Sequence, residues 1–348
     1  MAKTLYDLVT SKNIVAYWIE KNLNTYTVGE QLFPFKKEIG IKLEWIKGVK
    51  NQPVGLRLSA YDSKSIRRDR QGIDKYDTVM PFFKESMVLD EATRQQLNTL
   101  LQTNNEALIN NIIVNIFDDQ IKLITAAYET IERMRMQALT TGTVTLSSNG
   151  QSYSYDYGMP AANKVTVSNA WSDGNANPIK DITDIQDAAK LKGVKLTRAM
   201  CNTNALKSLI NNTDISKRIY VLSGGNVSIT TDQIRRYIEQ ETGITIYVND
   251  EGYIDESTGN FVKYFADDIF VLMPDGELGK THFGMTPEES DLMNANVADV
   301  SIVDNAIAVT TSKLVDPVNS EMKVSMVVLP SFEMADAVYI LDVDPSTI

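Results

Sequence analysis

The residues Gly276-Glu277-Leu278-Gly279-Lys280-Thr281 come nearest in type to a chemical site: glycines to curl the backbone, a lysine for phosphate charge and a threonine hydroxyl for a metal ion. A phosphate loop also needs a glycine separated by four residues from the Gly-Lys-Thr, because that backbone must turn its N–H groups onto the anion. Here the position is Pro274, which has no N–H. Gly284 and Pro287 then follow where a helix should aim its N-terminus at phosphate. A nucleotide-binding enzyme therefore loses to a plain turn after the apolar run Ile269 to Met273. Asp250, Glu251, Asp255 and Glu256 bracket another turn, but they lack the alternating oxygens and central glycine of a calcium loop, so a solvated hairpin tip is expected. His282 has the type of a general base and Cys201 of a nucleophile. Neither has an identifiable partner, no Gly-x-Ser-x-Gly elbow occurs, and Cys201 ends a mostly apolar run that suits a small core residue. One cysteine and one histidine exclude a zinc cluster and an internal disulfide framework. No cofactor, no metal and no enzymatic activity are expected.

The elements that must carry these residues are organised around a helix. Between Pro81 and Gly142 there is neither glycine nor proline, and Leu97, Leu101, Leu108, Ile112, Ile116, Ile124, Tyr128, Ile131, Met134 and Ala138 recur at helical spacing. Unbroken, the segment would run roughly 65 Å, longer than a compact domain is wide. Thr103-Asn104-Asn105-Glu106 reads as a capping box, so a short helix from Asp90 to Gln102 should precede a long one that ends at Gly142.

Before that spine, Leu5 to Lys21 has helical spacing, Leu32-Phe33-Pro34 punctuates a polar passage, and Ile39, Ile41, Leu43 and Trp45 alternate as a strand. Val54, Leu56 and Leu58 alternate too, as do Val79 and Phe83. Between them Tyr61 to Asp77 is polar, with Lys64, Arg67, Arg68 and Arg70 close together. Two readings stay open for this excursion: a loop lying on another subunit, or a solvated hairpin tip. After the spine, Asn149-Gly150 between alternating runs predicts a β-hairpin over 143–157. An α/β unit follows, with helices at 181–192, 203–210 and 231–241 and strands at 195–200, 244–248 and 268–273. Strands at 307–311, 323–329 and 337–343 are expected to pair with the hairpin and pack on the spine.

Charge is unevenly spread along the 348 residues. Residues 1–84 hold 15 Lys or Arg against 9 Asp or Glu, a net +6; the other 264 hold 19 against 36, a net −17. A basic arm over an acidic neighbour and merely solvated faces both fit these counts. The acidic total argues against tight nucleic-acid binding. The first twenty residues carry Asp7, Lys12 and Glu20 where a signal peptide needs an apolar core, and no run approaches a membrane span, so an intracellular protein is expected.

The order of these elements resembles the tailed-bacteriophage major capsid protein, more specifically its lambda-type E family, which has the Hong Kong 97-like capsid fold. The local matches are Leu32-Phe33-Pro34; Trp171-Ser172 with Asn177-Pro178 and Asp181-Ile182; Asp268 with Val271-Leu272-Met273-Pro274 and Leu278-Gly279; and Asp316-Pro317. The resemblance covers nearly the whole chain and lies in order and spacing. It implies an α+β fold with an N-terminal arm (1–52), an extended β-hairpin loop (53–89), a peripheral β-sheet domain with the spine helix (90–177 and 306–348) and an inserted α/β axial domain (178–305). It further implies a catalysis-free subunit forming pentamers and hexamers in an icosahedral shell. That shell encloses double-stranded DNA without sequence-specific binding, is assembled in the host cytoplasm and has no membrane. Scaffolding protein, portal and decoration protein are the implied partners. Lys64, Arg67, Arg68 and Arg70 would then be loop residues at a subunit interface. Leu108, Ile112, Ile116, Ile124, Tyr128 and Ile131 would pack the spine helix. A nanocompartment shell protein of the same fold is the alternative.

Overall fold

The computed structural model describes residues 8–21, 27–47, 74–89, 91–103, 106–222, 230–255, 258–293, 298–315 and 318–345. Helices α1 (Ser11–Glu20) and α2 (Val28–Leu32) precede strands β1 (Phe35–Lys37), β2 (Lys42–Lys47), β3 (Asp74–Val79) and β4 (Phe82–Val88). Helices α3 (Glu91–Thr103) and α4 (Glu106–Thr141) lead to β5 (Thr143–Ser148), β6 (Gln151–Asp156) and β7 (Lys164–Thr166). Then come α5 (Pro178–Leu191), β8 (Leu196–Cys201), α6 (Thr203–Ser208), α7 (Thr213–Leu222), α8 (Thr231–Thr242) and β9 (Thr245–Val248). The chain continues through β10 (Gly252–Ile254), β11 (Phe261–Lys263), β12 (Ile269–Pro274) and β13 (Thr281–Phe283). It ends with β14 (Asp299–Val303), β15 (Ile307–Val315), β16 (Val318–Pro330) and β17 (Tyr339–Asp342).

The chain divides into two compact units, one comprising residues 1–44, 77–135 and 280–331 and the other 45–76, 136–279 and 332–348. The first holds a six-stranded sheet in the order β1-β13-β16-β15-β14, with β4 also on β16. One edge of β16 carries β15; the other carries β4 opposite 321–327 and β13 opposite 328–330. β1 adds in parallel, Phe35 facing Thr281. α1 begins at Ser11, where the Thr10 hydroxyl accepts the Asn13 N–H and caps it; Leu5, where the expected helix began, lies outside the described residues. The strand expected through Ile39 begins only at Lys42, and Ile39 itself lies exposed in a bend.

The second unit holds a five-stranded mixed sheet, β7-β17-β12-β8-β9, with α5, α6, α7 and α8 contributing to its core. Ile182, Ile185, Ala189, Ile234 and Ile238 from the helices meet Ala199, Phe270 and Leu272 of the strands. Trp171 is fully buried, edge-on to Phe270 at 5.2 Å, and its indole N–H donates to Asp181 at 3.0 Å. Burial raises the Asp181 carboxyl above its ordinary value, and the indole bond pulls the other way. Trp171→Phe should therefore cost about 1.5–3 kcal/mol, the range for a hydrogen bond to a charged group. A raised folded pKa means the carboxyl favours folding least once pH has risen through it. The deficit of the variant should shrink on acidification toward pH about 4, the unfolded value for Asp, in denaturant titrations run across pH.

The hairpin β5–β6 forms with Asn149 at φ 50° and Gly150 at φ 73°, the paired left-handed turn that its Asn-Gly predicts. Among the described residues its two strands pair with each other alone, contrary to expectation. The returning strands have other partners. Both edges of β16 are taken in the first unit, and β17 lies between β12 and β7 in the second, so no backbone groups on them remain for the hairpin. Helix α7 and strands β10, β11, β13 and β14 were not expected from the pattern. Among the described residues no helix is long and apolar enough to cross a membrane.

Candidate functional site: a buried ionic cluster and a histidine tie

Where the phosphate-loop resemblance needs a turn leading into a helix, Thr281 and His282 lie in strand β13. Gly276 makes the turn, Lys280 is half-buried, and Thr281, His282 and Phe283 are fully paired between β1 and β16. The residues after Lys280 are strand where a phosphate loop needs a helix N-terminus, so the nucleotide reading fails on geometry.

Thr281 is instead part of an ionic cluster in the first unit. Helix α4 carries Glu132 and Arg135 one turn apart, joined Oε2 to Nη1 at 3.1 Å, with their side chains only 4% and 3% exposed. The Glu132 carboxylate accepts the Gly29 N–H at 2.9 Å and the Thr27 hydroxyl at 2.6 Å. Arg135 Nε donates to the Thr281 hydroxyl at 2.9 Å, which itself donates to the Phe33 carbonyl at 2.8 Å. The guanidinium also lies 4.8 Å from the Phe35 ring. Burial pulls the Arg135 pKa down against the raising effect of Glu132. A Cβ at position 29 would fall 2.3 Å from Glu132 Oε2, so any other residue there would push the carboxylate off its hydrogen bonds. The cluster fastens 27–35 to α4 and β13.

His282, 2% exposed, joins Glu38 Oε1 through Nδ1 at 2.9 Å and the Ser331 hydroxyl through Nε2 at 3.1 Å. This is the connectivity of a nucleophile, base and orienting carboxylate. Ser331 is, however, fully buried, its oxygen accepts the Lys280 N–H at 3.0 Å, and its own N–H donates to the Lys280 carbonyl at 2.7 Å. A hydroxyl so enclosed offers no face to a substrate, and the arrangement acts as a tie between β13 and the segments on either side of it. Glu38 is held below the usual carboxylate range by the hydrogen bond from Lys36, burial opposing it and His282 adding to it. A depressed carboxylate stabilises above its unfolded pKa and loses that contribution as pH falls through the folded value. Glu38→Gln should thus lower stability at pH 7, and the gap from wild type should close below pH about 4 in urea titrations.

The other candidate residues are dispersed. Cys201 is buried in β8, and burial pushes its thiol up to about 12, so it is a poor nucleophile. Asp250 accepts the N–H and hydroxyl of Thr203 at the start of α6. Glu256 lies outside the described residues, and among those described no group of three or more His, Cys, Asp or Glu could hold a metal ion. On α4, Ile116, Ile124 and Ile131 are buried and Ile112 and Tyr128 half-buried; the side chain of Leu108 lies outside what is described. Lys64, Arg67, Arg68 and Arg70 lie outside the described residues, as do Val54, Leu56 and Leu58. Sequence reasoning missed Glu132 and Arg135. The available signal was a charged residue, Arg135, on the apolar stripe of Ile124, Ile131 and Ala138.

Two units, one built on a six-stranded sheet and one on a five-stranded mixed sheet with helices, give the chain the Hong Kong 97-like capsid fold. A phage-related protein of Bordetella bronchiseptica RB50 has this fold at 13% identity and TM-score 0.55, over 96% of this chain and 97% of that chain. The putative capsid protein of a prophage of E. coli CFT073 does so at 14% identity and TM-score 0.58, over 96% and 99%. The profile of the family described as phage major capsid protein E matches residues 21–343, and the chain belongs to that family. No curated protein matches its sequence.

Proposed function

We propose that the protein is a major capsid subunit that self-assembles as pentamers and hexamers into an icosahedral shell around double-stranded DNA. The observation that carries this is the family profile running through 21–343, both units included. Residues 1–52 act as an arm and 53–89 as a loop reaching over a neighbour. Residues 90–177 and 306–348 form the peripheral domain, and 178–305 the axial domain around the capsomer axis. The net charge of −11 suits a container that must not hold fast to the DNA it encloses. Scaffolding protein, a portal and a decoration protein are the partners in this reading, assembly takes place in the host cytoplasm, and the product is the virion capsid. Many modest interfaces, several per subunit, would sum to a stable shell. Negative-stain microscopy of the protein expressed with its scaffold should show closed shells of uniform diameter. A protein that stays monomeric across salt and concentration would contradict the reading, and a copurifying cargo enzyme in place of DNA would favour a nanocompartment.

A further inference from the structure

Within the first unit, β4, α3 and α4 enclose a cleft of about 320 Å³, at the small end of the range for ligand clefts. Helical spacing sets the face that α4 gives it: Ile112 and Ile116 stand one turn apart, and Asp119 and Gln120 follow one turn later. Met87 and Val88 of β4 add to the apolar part of the lining. Along the helix, Ile112 to Gln120 spans about 12 Å, so the α4 wall is apolar toward one end and polar toward the other.

Gln120 is the informative residue. Its side chain is only 4% exposed, and its carboxamide oxygen has no hydrogen-bond donor among the described residues. A buried acceptor without a donor is uncommon, and a donor brought by another molecule would recover the loss. Asp119 beside it carries the only charge in the lining. Its ion pair with Lys122, at 2.7 Å, joins side chains that are 61% and 70% exposed, and so exposed a pair holds weakly enough to leave the carboxylate open to a second cation.

We propose that this cleft is a binding site for a small primary alkylammonium ion. The ammonium group has three N–H donors and no acceptor, so it suits the Gln120 oxygen, the Asp119 carboxylate and water at the mouth together. Its alkyl stem would lie along Ile116, Ile112 and Met87, the arrangement by which a cationic head stays solvated while its stem is buried. A carboxylate of the same length would meet Asp119 as a like charge. A diamine would have to put its second ammonium against the apolar end, without a partner. The site lies within one subunit and needs no assembled shell.

The test is n-hexylamine, hexanoate and hexamethylenediamine titrated separately at neutral pH into dilute, unassembled full-length subunit, with binding read from the ligand by saturation-transfer NMR. Hexylamine should bind saturably and hexanoate should not bind. The diamine should bind about tenfold more weakly than hexylamine. Gln120→Leu should weaken hexylamine about tenfold, the effect of losing roughly 1.4 kcal/mol. That variant should also melt at higher temperature, since it removes an unpaired buried amide. Asp119→Asn, at an exposed position, should weaken hexylamine by a similar factor, and it serves if the leucine variant fails to fold. Absence of saturable hexylamine binding to wild type would overturn the proposal. So would equal affinity in wild type and both variants, or hexanoate binding as tightly as hexylamine, because either would leave the cleft with no preference for a cation.

Discussion

Glu132→Ala should destabilise the first unit by about 3–5 kcal/mol, because it leaves the Arg135 guanidinium buried without its counter-charge. The same change strips the acceptor from the Thr27 hydroxyl and the Gly29 N–H. Loss should therefore be seen twice: as a lower urea midpoint, and as faster hydrogen exchange at the Gly29 amide. Removing both charges has a different outcome. Glu132→Met with Arg135→Met takes away the desolvation cost along with the attraction, and should return most of the stability lost by the single variant. If the double variant proved as unstable as the single, the cluster's value would lie in its hydrogen bonds to 27–33 rather than in charge balance. The comparison separates the two terms without assigning an energy to either bond alone.

The long helix was legible because its signal is local and repeated. From Glu106 to Thr141 no glycine or proline interrupts a 3.6-residue period, and the break before it falls where Thr103 and Glu106 placed it. The Asn149-Gly150 hairpin was legible for the same reason: two residues dictate the turn. Strand partners were not. β16 runs 13 residues and its pattern shows burial, yet one of its partners, β4, lies more than 200 positions away, and nothing local chooses it over the hairpin. β13 was missed because three buried residues after a glycine-rich turn carry no period of their own. Helix α7 was missed although Ile215 and Ile219 stand four apart, since Asn211-Asn212 before it reads as the end of α6 and Gly224-Gly225 soon follows.

The candidate site was read in type and misread in role. Lys280, Thr281 and His282 were weighed as a phosphate loop and a general base and set aside; in the structure Thr281 and His282 converge with polar partners from residues 27–38, 132–135 and 331, which no spacing rule connects. A buried salt bridge looks in sequence like any exposed i,i+3 pair. What distinguishes it is the face: Arg135 shares the stripe that buries Ile124, Ile131 and Ala138.

Replacing Arg67, Arg68 and Arg70 by glutamate should cut the yield of closed shells at least about tenfold and leave the subunit folded. Three reversals change the charge of residues 1–84 by six and bring it from +6 to zero. A loss of only about 1.4 kcal/mol per subunit contact is already tenfold in an equilibrium constant. Because each subunit in a shell is held by several neighbours at once, that loss compounds through every contact the segment makes. Three alanines should give an intermediate yield, since they remove attraction without adding repulsion to an acidic neighbour. Salt separates charge from shape: raising ionic strength shortens the range of these forces to below about 10 Å, so it should lower wild-type yield and partly restore the glutamate variant. Circular dichroism and melting of the unassembled subunit supply the control. Unchanged shell yield in a folded variant would take residues 64–70 out of the subunit interface.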